Sequence, residues 1–148
     1  MSGRTGREPK LLFPGLAGFY ARVSDLWYPL IRIVAGACLY AHVWPKFHAG
    51  PVVIATSMAK SGFNPGIFFA YAAMFLESVG ATCIIVGLFT RFFAAALAIE
   101  MALISLVVMR PQGWFRMEET FIWGILLFAI ALRGGGPYSL DRAIGNEL

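Results

Sequence analysis

The stretch Ile67 to Leu88, IFFAYAAMFLESVGATCIIVGL, decides the fold: it runs 22 residues with Glu77 as its sole charge. At 1.5 Å per residue, a helix of that length covers about 30 Å, the thickness of the hydrocarbon core of a bilayer. A carboxylate near the middle of such a run is costly unless something in the fold uses it, so Glu77 is a functional-site candidate from the outset.

Three more apolar runs flank this one, from Trp27 to Phe47, Phe92 to Met109 and Met117 to Leu132, with short polar breaks between them. Hydrophobic residues make up 59% of the 148 and charged residues 14%, against about 25% charged in a soluble domain. The mean hydropathy is +0.72. These values describe an integral membrane protein. Four spans on short connections predict a single all-α domain over residues 27–148, an antiparallel bundle of four transmembrane helices with backbone hydrogen bonds satisfied inside each helix.

The formal charge of +4 reads as orientation. Arg4, Arg7, Lys10, Arg22, Arg91, Arg133 and Arg142 fall on one side of the predicted membrane, and Lys46, Lys60, Arg110 and Arg116 on the other. Basic residues are retained in the cytoplasm, which predicts that both termini are cytoplasmic. Their scatter leaves no patch for nucleic acid.

Residues 1–26 read as a cytoplasmic tail and an interfacial helix, without the pattern of a cleaved signal. Leu16, Phe19, Tyr20, Val23 and Trp27 recur at helical spacing opposite Arg22, Ser24 and Asp25, as in a helix lying in the membrane interface. In the first connection, Pro51 suits a helix start and Gly62 a helix end, so a short capping helix is expected there.

Several chemistries find no support. Cys38 and Cys83 lie at different depths and form no C-x-x-C, which points away from a disulfide or a self-contained thiol oxidoreductase. The two histidines, His42 and His48, share one segment and point apart, so no haem pair is expected, and no metal site. A Gly-rich dinucleotide fingerprint is missing too. No cofactor is expected to be bound covalently or by motif.

The remaining polar groups can be ordered by depth. Arg32 falls in the inner third, Glu77 and Glu100 near the midplane, and His42, Lys46, Glu118 and Glu119 toward the outer side. Arg32 is expected to reach Glu77, and His42 or Lys46 to reach Glu118 or Glu119. Arg32 and Lys46 are nearly four helical turns apart and share a face, with His42 one turn before Lys46. A polar stripe facing the interior follows, serving either as interhelical glue or as a binding site. Glu100 has no basic residue within a turn, which makes it a candidate for contact with a partner subunit.

Four groups of residues then match a known pattern in order. They are Leu30-Ile31-Arg32 with Gly36, His42 and Lys46; Gly62-Phe63-Asn64-Pro65; Glu77-Ser78-Val79-Gly80 running to Gly87-Leu88-Phe89-Thr90-Arg91; and Gly136-Pro137-Tyr138-Ser139-Leu140-Asp141. From Leu30 to Ile144 the chain resembles the DoxX family of small four-helix bacterial membrane proteins. It departs at Val43, where a glycine usually follows the histidine, and at Pro45, which is expected to kink the helix end before Lys46.

The family includes a subunit of a thiosulfate:quinone oxidoreductase. The resemblance therefore implies a bacterial inner-membrane subunit that handles quinone within a larger redox complex and carries no cofactor of its own. It marks Arg32, His42, Lys46, Glu77 and Arg91 as the positions to test, with Gly36, Gly80, Gly87, Tyr138 and Asp141 as motif residues. The alternative is a purely structural accessory subunit, packed on a larger membrane complex through small residues of the third span (Ala94, Ala95, Ala96, Ala98, Ala102) and Glu100. Whether any turnover occurs is left open.

Overall fold

A computed structural model describes residues 11–145. Arg4, Arg7 and Lys10, used above in the charge argument, and residues 146–148 lie outside the described residues. A 3-10 turn at Pro14–Leu16 leads into α1 (Ala17–Val23), followed by α2 (Trp27–Ala49), α3 (Pro51–Lys60) and α4 (Gly66–Val86). Next comes α5 (Thr90–Leu103), which continues as a π-helical segment (Ile104–Met109) and a 3-10 turn (Arg110–Gln112), then α6 (Trp114–Arg133) and α7 (Leu140–Ile144). No strand occurs among the described residues.

Two helices are long and apolar enough to cross a membrane: Gly66–Val86, with a hydropathy of 1.8, and Thr90–Gln112, with 2.4. A third crossing is available if Pro14–Val23 and Trp27–Ala49, bent by 52° at the break between them, count as one span. Helix α6 has 20 residues, about 30 Å of rise, but Arg116, Glu118 and Glu119 charge its first turns.

The four long helices share one core of small and branched residues. Ala35 and Leu39 of α2 meet Ala81 and Ile84 of α4, Ala94, Leu97 and Met101 of α5, and Leu127 and Ile130 of α6. Contacts run in opposite directions along neighbouring helices, which makes them antiparallel. Tyr40 of α2 hydrogen-bonds Thr82 of α4, and Lys46 bonds Glu77. Likewise Ser105 donates to Thr120 at 2.7 Å at one end of the α5–α6 pair, while Arg91 reaches the carbonyl of Leu132 at 2.7 Å at the other.

Close helix approach has a residue-level cause. A Cβ on Gly36 would stand 2.4 Å from Ile85 and 2.8 Å from the Ala81 carbonyl, so α2 and α4 touch at a distance only glycine permits. Pro45 does not end α2: the helix continues to Ala49 and presents Lys46 in regular geometry. It lies within the last two turns and on the exposed side, where a lost backbone bond costs least. Outside the core, α1 buries no residue, and Leu16, Phe19, Tyr20 and Trp27 are all exposed.

Candidate functional site

The interior polar stripe opens on a cavity of about 250 Å³ between α2, α4, α5 and α6, lined by Leu39, His42, Lys46, Glu77, Met101, Ile104, Met109, Glu119, Thr120 and Trp123. At its inner wall the Lys46 ammonium donates to Glu77 Oε1. Glu77 is 2% exposed and its Oε2 is buried without a hydrogen-bond partner among the described residues. His42 Nε2 lies 3.6 Å from Glu119 Oε1 at the outer, more accessible end, with the Trp123 ring edge-on to the imidazole. One end of the cavity is thus a buried ion pair and the other an exposed His–Glu pair, joined by apolar walls.

The expected pairing of Arg32 with Glu77 does not occur, and Lys46 takes that place. The register of α2 on α4 decides this: Gly36 packs on Ala81 and Ile85 and Tyr40 meets Thr82, so Lys46 falls at the level of Glu77 and Arg32 at that of Ile85 and Gly87, roughly 12 Å or more along the helix axis from Glu77. Arg32, 1% exposed, instead donates through Nη1 to the Gly135 carbonyl and through Nη2 to the Tyr138 carbonyl at 2.9 Å. Of the two acidic candidates on α6, Glu119 joins the cavity and Glu118 is exposed outside it, because neighbouring residues on a helix project about 100° apart.

Arg32 belongs to a lock at the opposite end of the helices. Asp141 is 1% exposed and accepts from Phe89 N at 2.7 Å, Thr90 N at 3.0 Å and Thr90 Oγ1 at 2.8 Å. It therefore caps the N-terminus of α5, where free N–H groups and the helix dipole favour an anion. The cap of the terminal helix α7 is Ser139, which accepts from Arg142 N at 3.2 Å. Gly87 ends α4 at φ +73, and a Cβ there would stand 2.5 Å from Arg32 Nη1 and from Ser139 Cβ. The motif residue Tyr138 is 71% exposed with φ 58, and its carbonyl accepts from Arg32. Arg91 donates to the carbonyls of Ala131 and Leu132, at the C-terminal end of α6, where a cation suits the dipole. Gly80 faces Leu97 across the α4–α5 contact.

Glu100 stands apart from both clusters. It lines a second cavity of about 230 Å³ whose other walls are apolar residues of α3, α4, α5 and the turns beside them, including Met58, Phe63, Phe69, Leu76 and Leu103. Its Oε2 is buried with no hydrogen-bond partner among the described residues. This second cavity had no sequence signal beyond Glu100 itself, because its walls form only where the faces of α3, α4 and α5 pack together.

The DoxX family model matches residues 28–110, more than half of the chain. That span holds the Lys46–Glu77 pair, His42 and Glu100, and it stops short of the Tyr138–Asp141 segment. No curated protein and no solved structure matches the chain.

Proposed function

From the premise that the chain belongs to the DoxX family and is a multi-pass membrane protein, we propose that it is a quinone-handling subunit of a larger redox assembly in a bacterial inner membrane. In this reading α2, α4, α5 with its π-helical extension, and α6 all span the bilayer, both termini are cytoplasmic, and α1 lies in the interface with its exposed aromatic face in lipid.

The observation that carries the reading is the Lys46–Glu77 pair at the inner end of the cavity, with Glu77 fully buried and Lys46 partly so. Holding two charges out of water costs several kcal/mol per ion before their attraction is counted. As glue for two helices this is an expensive choice. As the end of a slot for a flat, uncharged ring it supplies a donor at Lys46 and an orphaned acceptor at Glu77 Oε2. His42 and Glu119, at the outer end, are placed to exchange protons with water. A quinone, when bound, would supply the electron carriage; the chain's own residues bind its head, exclude water around it and hold protons near it. Arg32, Arg91 and Asp141 take no part in this and hold the helices together.

A second reading has its own observation. Ala95, Ala98, Ala102 and Gly124 floor an apolar groove of about 380 Å³ between α5 and α6, and small residues of this kind admit a partner helix. That would serve a purely structural accessory subunit equally well.

Purification from the native membrane in mild detergent, with mass spectrometry of co-eluting chains and extracted lipids, separates the two. Near-stoichiometric quinone in the wild type that disappears in Glu77→Leu supports the first reading. A cofactor-bearing partner retained with no quinone in this chain sinks it and leaves the accessory role.

A further inference from the structure

The cavity holding Glu100 and the cavity holding Lys46 and Glu77 lie side by side. Ile104 is the one residue that lines both. Sequence neighbours divide between them: Leu76 and Glu100 face the first cavity, Glu77 and Met101 the second. Ile104 also opens the π-helical segment, and interruptions of this kind in an α-helix occur frequently at functional sites.

From this juxtaposition, and resting on the quinone reading above, we infer that the two cavities are the two ends of one slot, in which Glu100 hydrogen-bonds one oxygen of a para-quinone head while Lys46 and Glu77 meet the opposite oxygen.

The chemistry narrows the occupant. Apart from Glu100, all eleven residues lining its cavity are apolar, so the cavity accepts hydrocarbon and offers a single polar contact. A carboxyl can donate to a carbonyl oxygen or accept from a hydroxyl, which suits both the quinone and the quinol. The Lys46–Glu77 pair is internally neutral and brings no net charge to the other end. An uncharged flat ring with oxygens at opposed positions satisfies both ends at once, whereas a lipid with one polar head satisfies only one. Ile104 is the single side chain at the junction of the two volumes, and in the proposed slot it turns aside as the ring enters.

The test measures binding of a short-tailed para-quinone, and of a phenol with the same tail, to the full chain in nanodiscs. Glu100→Leu is expected to weaken the quinone about five- to tenfold, the worth of one hydrogen bond, and to leave the one-oxygen phenol unchanged. Glu100→Gln, which keeps shape and hydrogen bonding, retains wild-type affinity. Ile104→Trp fills the junction and weakens the quinone alone; it carries the test by itself if Glu100→Leu fails to fold. Quinone affinity unchanged in both Glu100→Leu and Ile104→Trp overturns the two-ended slot and leaves the quinone reading standing. A wild-type chain that binds no quinone overturns both.

Discussion

Glu77 is fully buried and its partner Lys46 partly so, and removing Lys46 strands the Glu77 carboxylate in the interior. Lys46→Met is expected to cost about 3–5 kcal/mol, whereas Lys46→Met combined with Glu77→Met costs far less, since replacing a buried pair by apolar side chains is often neutral. Thermal unfolding of the two single variants and the double variant in detergent checks this; additive losses would mean that the pair is not coupled. The candidate residues themselves were legible in the sequence, because a charge inside a 22-residue apolar run stands out. Their partners were not. Depth counted along the sequence placed Arg32 within reach of Glu77, but the register of α2 on α4 sets Arg32 beside Ile85 and Gly87 and brings Lys46 to Glu77, and that register is a property of the packed pair of helices. The choice of Glu119 over Glu118 depends on the rotation of α6 about its axis, which a run of four consecutive residues from Arg116 to Glu119 does not specify.

At the scale of elements, hydropathy located the long helices to within a few residues at most ends, and Pro51 and Gly62 located α3. What it missed is how α5 begins. Asp141 caps that helix from 51 residues away in sequence, a distance no local capping rule reaches. Asp141→Ala removes three hydrogen bonds from the turn between α4 and α5 and is expected to destabilise the fold by about 2–4 kcal/mol. Asp141→Asn retains part of that. Because the lock lies at the other end of the helices from the polar cavity, folded Asp141→Asn protein is expected to bind quinone as the wild type does. Unfolding midpoints and quinone titrations of the same samples test both statements. Gly87→Ala meets a left-handed backbone and the Arg32 guanidinium together, so its loss in the same unfolding assay is expected to exceed the roughly 1 kcal/mol of the backbone strain alone.

Considered whole, the molecule places its polar cavity toward one end of the helices and its lock at the other, and the proposed orientation puts the lock on the cytoplasmic side. In a Cys38→Ala, Cys83→Ala background, Ser61→Cys is expected to react with a membrane-impermeant maleimide in intact cells, and Ile144→Cys only after permeabilisation. The opposite pattern would place the His42–Glu119 end in the cytoplasm and invert the proposed topology. The long apolar helices could be drawn from sequence because hydropathy acts on whole segments. The second cavity, assembled by α3, α4 and α5, could not.

The lock also bears on how the protein is made. Arg32 emerges from the ribosome about a hundred residues ahead of two of its carbonyl acceptors, Gly135 and Tyr138, and the N-terminus of α5 is synthesised well before Asp141. A chain halted after α6 leaves Arg32 with only its 3.5 Å contact to the Ile85 carbonyl and α5 without the Asp141 cap. Closure of this end of the helices therefore waits on the segment that follows α6.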